Sequence, residues 1–206
     1  ALVDESGIES LSMRKLGQAL GVQAMSLYNH VANKDEILDG IVERVVGEFV
    51  PPPQDAPWRE ALRETAKSMR EVLLRHPWAA ALVESRVTPS PVRFRHSDAV
   101  IGTLRRAGFS IELAYRAQLT FSSYVYGFTL QEVNWPFDSQ GLPDVVTDLQ
   151  PRVPSKEYPY LSEMMTWLTE ARSSQADPGG ASAPESEFEL GLDLVLDGLE
   201  TLRSRA

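Results

Sequence analysis

Ala24, Met25, Ser26, Tyr28, Asn29 and His30 lie within one short stretch and offer a methyl, a thioether, a hydroxyl, a phenol, a carboxamide and an imidazole. Small, hydrogen-bonding and aromatic groups in one place suit base edges, thymine methyls and phosphates in a DNA groove. Cations flank them. From Ser10 to Lys34 the chain carries Arg14, Lys15 and Lys34 with no Asp or Glu, a surplus of +3, so a net charge of −9 leaves −12 on the remainder. Phosphate binding draws on Lys and Arg to release counterions. The acidic average therefore conceals a small electropositive module on an acidic body.

Other chemistry finds less support. The 3 histidines, His30, His76 and His96, are scattered, and none stands with a Ser in a nucleophile arrangement or with Glu at metal-ligand spacing. With 0 cysteines there is no thiolate nucleophile and no Cys-based zinc site, which sits easily with a reducing cytoplasm. We expect no catalytic residues, no metal and no cofactor. No apolar run approaches the roughly 20 residues of a spanning helix, so no membrane partner is expected. Composition, 43% hydrophobic and 24% charged, is that of an ordinary globular chain. The rival from another class is a helical small-molecule or partner-binding protein without DNA-binding activity.

The elements that must hold the reading residues follow from periodicity, which is helical almost throughout. Ser12 caps a helix over Met13 to Leu20 that Gly21 closes, and a second short helix spans Ala24 to His30. Gly17 is small where these two cross, and Leu16, Leu20, Val22 and Leu27 are apolar where they pack. Asn33, three residues before Glu36, opens a helix to about Phe49 that Pro51, Pro52 and Pro53 stop. Later helices are expected over Trp58 to Arg75, Trp78 to Arg86, Pro91 to Arg106 behind a Ser90 cap with Phe94, Ile101 and Leu104 inward, Ser110 to Asn134, Tyr158 to Arg172 and Glu185 to Arg203. Residues 136–154 read as loop and Ser173 to Pro184 as a polar, mobile segment. The fold class is all-α: an N-terminal three-helix helix-turn-helix DNA-binding domain over residues 1–50 and a larger helical ligand-binding and dimerisation domain over 51–206. Because Ala1 is not an initiator Met and residues 1–5 read as the end of a helix already under way, a basic segment is expected upstream.

The run from Leu11 to Val22, with Leu27-Tyr28-Asn29-His30-Val31 and Asn33-Lys34, resembles the DNA-binding signature of the TetR family, in particular its tetracycline-repressor branch. Pro57-Trp58-Arg59-Glu60, Leu74 to Trp78 and Ala107-Gly108-Phe109-Ser110 resemble that branch's sensing domain more loosely. The resemblance implies a repressor bound to a double-stranded operator, with Ser12, Arg14, Ala24, Met25, Ser26, Tyr28, His30 and Lys34 on the DNA face; Lys15 and Asn29 join them from the residue reading. Gln23 and Asn29 depart from the usual pattern, so operator sequence cannot be carried over. Thr65, Met69 and Val83 replace the amide, aromatic and imidazole groups of the drug site, which argues against tetracycline as effector.

An effector pocket is expected among the helices after Pro53, apolar and aromatic with a few polar groups. Its candidate lining is Met69, Trp78, Val83, Phe94, Phe121, Tyr124, Phe128 and Trp135, each of which plain core packing would also explain; Glu84, Arg86, His96 and Gln131 are candidate polar contacts. The last helix shows Phe188, Leu192, Val195, Leu199 and Leu202 on one face and Gly191, Leu194, Gly198 and Thr201 on another, and Ser122, Ser123 and Gly127 give the long helix a similar small-residue surface. Pairing of these two helices with their symmetry mates would make a homodimer around a four-helix bundle.

Overall fold

The structure, a computed structural model, describes residues 2–86, 89–134, 142–174 and 186–205. Among them every regular element is helical: α1 Leu2–Ser6, a 3-10 turn Ile8–Ser10, α2 Met13–Leu20, α3 Ala24–Leu27, α4 Lys34–Val46, α5 Trp58–Arg75, α6 Ala79–Ser85, α7 Pro91–Arg106, α8 Ile111–Asn134, α9 Leu142–Leu149, a 3-10 turn Gln150–Arg152, α10 Pro159–Ser174 and α11 Glu187–Arg203. By packing the chain forms two units, Ala1–Gln131 with Glu187–Ala206, and Glu132–Ser186. The helix bounds follow local chemistry. Ser12, Asn33, Ser90 and Ser110 each accept a hydrogen bond from the backbone N–H three residues on, at 3.3, 3.0, 3.3 and 3.1 Å, and so satisfy donors that a helix start leaves orphaned. Glu36 completes a variant capping box by accepting from the Ala32 N–H at 2.7 Å.

The larger unit is built on α4, α5, α6, α7, α8 and α11, which share one apolar cluster containing Val42, Phe49, Leu62, Met69, Leu73, Val83, Leu104, Phe121, Phe188 and Leu192. Along α5, Arg59, Arg63 and Lys67 pair with Asp197, Asp193 and Glu189 of α11. A spacing of four keeps each series on one face, and the descending order fixes α11 antiparallel to α5. Arg70 continues the series with its guanidinium 5.2 Å from the Phe188 ring. These partly exposed pairs contribute little energy each; they set register while the cluster supplies the burial. In the smaller unit α9 packs on α10, with Val146 and Met165 buried.

Several expectations need correction. The segment 136–154 contains α9, Leu142–Leu149, followed by the 3-10 turn Gln150–Arg152. The helix expected over Ala24 to His30 stops at Leu27, and Tyr28 and Asn29 tighten to i→i+3 bonds at 3.2 and 3.3 Å. Leu20 and Val22 are exposed, since the second helix meets the first through backbone at Gly17 and not through those side chains. Phe94 is 62% exposed and not inward, while Val100 and Leu104 carry that stripe. On α11 the inward face is Phe188, Leu192, Leu196 and Leu199, and Leu202 is exposed. Residues 175–185, most of the polar segment, lie outside the described residues.

His96 on α7 stacks edge-on against Phe49, ring centroids 5.5 Å apart, and burial pushes its imidazole pKa below the ordinary 6.5. A depressed histidine is neutral when folded and protonates more readily when unfolded, so the stability it confers is present above pH 6.5 and lost as pH falls through the folded value. We predict that His96→Phe loses less stability than the wild type between about pH 7.5 and about pH 5.5, read as urea midpoints. Equal losses in the two proteins would overturn it.

Candidate nucleic-acid interface

The geometry of the N-terminal module starts at Gly17. A Cβ there would stand 2.8 Å from the Val22 carbonyl oxygen and 3.1 Å from the Ala24 nitrogen, so only glycine allows α3 to cross α2 this closely. Gly21 closes α2 at φ 69°, with Val22 N–H donating to the Gly17 carbonyl at 2.9 Å. Leu27 is buried beneath α3 and Leu16 half-buried beside it. The consequence is that the remainder of the second helix points outward. Met25 is 75% exposed and Tyr28 49%, with Ser26, Asn29 and His30 exposed and Ala24 intermediate.

The flanking cations are free. Arg14, Lys15 and Lys34 are exposed and form no ion pair among the described residues. Ser12 is exposed too, with its hydroxyl engaged as the α2 cap. The ten residues expected on the DNA face are thus gathered on one small module, with hydroxyl, amide, phenol and imidazole uncommitted beyond that cap. Such a surface can accept a phosphate backbone on its cations and present short side chains to base edges.

The expected effector residues divide. Met69, Val83 and Phe121 are fully buried in the main cluster, and Trp78, Tyr124 and Phe128 pack partly buried against it. Tyr124 donates its hydroxyl to the Phe188 carbonyl at 2.7 Å, and burial raises its pKa. Phe94 is apart from them on the surface, and Trp135 lies outside the described residues. Thr65, which the resemblance sets at a drug-site position, is wholly buried on α5 between Leu62 and Met69, and its hydroxyl has no hydrogen-bond partner among the described residues. Thr103 and Thr129, by contrast, return their hydroxyls to the carbonyl four residues back. Nothing in the local sequence distinguishes Thr65 from these.

The joint between module and body escaped the sequence reading. Arg86, at the end of α6, donates to Asp39, to the Asp35 carboxylate at 3.1 Å and to the Asp35 carbonyl at 2.9 Å, and the Asp39 bond leads in raising its pKa. Arg93 of α7 holds that corner by donating to the Arg86 carbonyl and to the Val83 carbonyl at 2.8 Å. The available signal was Asp35 and Asp39 one turn apart at the start of α4. A cleft of about 360 Å³ lies beside this clamp, lined by Val31, Glu36, Glu43, Pro89 and Arg93 among others.

A helix pair closed on glycine, with a polar, cation-flanked second member raised on a helical body, defines a helix-turn-helix DNA-binding regulator. Residues 50–203 match the model of the tetracyclin repressor-like C-terminal domain. The chain belongs to the tetracycline-repressor family of helix-turn-helix transcriptional regulators. It is 39% identical over 135 residues to an HTH-type transcriptional regulator of Saccharopolyspora erythraea, a match covering 65% of this chain and 57% of that protein. It is 31% identical to the class A tetracycline repressor protein of Escherichia coli, over 98% of this chain and 87% of that one. The structure of ActR from Streptomyces coelicolor in complex with actinorhodin superposes with a TM-score of 0.77 at 27% identity, covering 98% of this chain and 92% of ActR.

The division of roles on the face is testable. Arg14→Ala should weaken binding by a similar factor on every duplex and reduce the salt dependence, whereas Tyr28→Ala should cost about 1–3 kcal/mol more on the preferred sequence than on random DNA. Losses of equal size for both variants on all duplexes would contradict it.

Proposed function

We propose that the chain is a ligand-responsive repressor that binds a palindromic operator as a homodimer and is released by a small-molecule effector. The observation that carries this reading is the exposed face of Arg14, Lys15, Met25, Ser26, Tyr28, Asn29, His30 and Lys34, whose flanking cations form no ion pair among the described residues. The working division is residues 1–50 for DNA and 51–206 for sensing and pairing, which agrees with a family match that starts at residue 50. A regulator of this kind works in the cytoplasm and performs no catalysis; among the described residues no helix is long and apolar enough to cross a membrane.

Support for the homodimer comes from two adjacent helix faces. Ile111, Tyr115 and Leu119 at spacing four on α8, and Leu190, Leu194 and Leu202 on α11, are all at least 49% exposed. The two helices are neighbours, tied by the Tyr124 hydroxyl on the Phe188 carbonyl at 2.7 Å. Ser123, Gly127 and Gly198 lie exposed on the same helices, and a Cβ at either glycine would meet nothing within 4 Å. Gly191, in contrast, is spent inside the chain, since its Cβ would strike the Tyr124 ring. A two-fold pairing of these faces would place two reading helices about one DNA turn apart, as a palindrome requires.

The effector is taken to be apolar or aromatic and other than tetracycline, held among Met69, Val83, Phe121, Tyr124 and Phe128 with one hydrogen bond from Thr65. ActR with bound actinorhodin supports a sensing role for a body of this architecture. Release follows if the effector prefers a packing that moves α4, to which Arg86 ties the body.

Leu194→Asp should convert the protein from dimer to monomer in sedimentation at micromolar concentration and abolish operator footprinting, because a buried unpaired carboxylate is not tolerated in an apolar interface; a dimer that survives would remove this face from the proposal. Thr65→Val should raise the stability of the effector-free protein by about 1 kcal/mol, since it deletes an unsatisfied buried hydroxyl while keeping the shape. A loss of that size would mean that the hydroxyl has a partner and is not reserved for an effector.

A further inference from the structure

A second tie between the N-terminal module and the body lies at the corner of α5 and α6. His76 Nδ1 stands 2.7 Å from Asp4 Oδ1 of α1, and Trp78 Nε1–H donates to the same oxygen at 2.7 Å. On the other side of the ring, His76 Nε2 faces Glu48 Oε2, just beyond α4, at 3.6 Å. The His76 side chain is 17% exposed, and Nε2 is buried without a hydrogen bond. Around it stand Asp4 from α1, Glu48 and Arg44 from the α4 segment, and Arg75, which pairs with Glu48 at 3.1 Å. The apolar floor is continuous as well, because Trp78 and Leu82 pack on the module's own core of Val3, Leu11 and Leu38.

The ring chemistry makes this contact two-valued. A carboxylate only accepts, so the bond to Asp4 requires the proton on Nδ1. A neutral ring then turns the Nε2 lone pair toward Glu48 and cannot bond it. A protonated ring donates from both nitrogens and joins α1 to the end of α4 across one residue of the body. We propose that His76 is a positioning residue for DNA reading, one that sets the angle between the helix-turn-helix and the body by bridging Asp4 and Glu48. The inference rests on the DNA-binding reading above and adds to it a residue that touches no DNA.

A positioning role predicts a loss confined to sites that need both reading helices at fixed separation. The probes are the duplex that the wild-type protein selects from a random-sequence pool and the same duplex cut to one half-site. His76→Gln should lower affinity for the full duplex about tenfold, the worth of one hydrogen bond to a carboxylate, and leave the half-site within about twofold. Asp4→Asn, on the exposed α1, provides a second route to the same loss if His76→Gln does not fold. If the wild type selects no duplex, the DNA-binding reading fails. If it selects one and both variants keep the wild-type ratio of full-site to half-site affinity, or weaken full and half sites equally, the positioning role is wrong and the reading stands.

Discussion

The N-terminal module and the helical body share α4, whose one apolar stripe is divided between two cores. Leu38 belongs to the small cluster with Val3 and Leu11, while Val42, Val45, Val46 and, just beyond the helix, Phe49 belong to the main cluster. Full burial of each such side chain stabilises by about 1.5–3 kcal/mol, so neither end of α4 can be withdrawn cheaply. A helix anchored this way moves as a lever. Its N-terminal cap, Asn33, directly follows the reading segment, and its C-terminal end packs on α7 through Phe49 and His96.

The distribution of charge follows from the same arrangement. Several acids are engaged within the chain: Asp193, Asp197 and Glu189 by the α5 series, Asp35 and Asp39 by Arg86, and Asp4 and Glu48 around His76. From Ser10 to Lys34, in contrast, every charged side chain is cationic. The −9 net charge thus says little about the surface that would meet DNA. An acidic body also repels the duplex everywhere except at the module, which favours one orientation of approach.

Features encoded within a few residues were legible. The caps at Ser12, Asn33, Ser90 and Ser110, the left-handed Gly21 and the close crossing at Gly17 each depend on neighbours in sequence, and each lies where its residue type demands. The exposure of Met25, Ser26, Tyr28, Asn29 and His30 was legible for a related reason: on a helix as short as α3, one buried residue, Leu27, determines where its neighbours point. Facing decisions made by tertiary packing were not. Phe94 against Val100, or Leu202 against Leu196, present the same chemistry at compatible spacing, and only the packed partner selects between them. The same degeneracy would conceal an effector pocket, since a methionine or phenylalanine can line a cavity or fill a core with identical composition; Met69 and Phe121 are buried in the main cluster. Long-range ties such as Arg86 to Asp39 and His76 to Asp4 join residues 47 and 72 apart, and the local sequence shows at most one side of them, as in the Asp35 and Asp39 pair.

Magnitudes decide which parts of this joint can switch. Coupling free energies between a ligand site and a remote site are typically about 1–3 kcal/mol, and a ligand shifts an equilibrium only by its differential affinity. Emptying either α4 core would cost several buried side chains and lies beyond that range. The polar ties lie within it: a hydrogen bond to a charged group is worth about 1.5–3 kcal/mol, less where a partner such as Asp35 is mostly exposed and screened. An effector acting from the body would therefore leave both apolar clusters packed and exchange one set of ties for another. Two kinds of force hold α4, burial in both apolar clusters and a few partly solvated ion pairs, and only the second falls within the range that an effector could exchange.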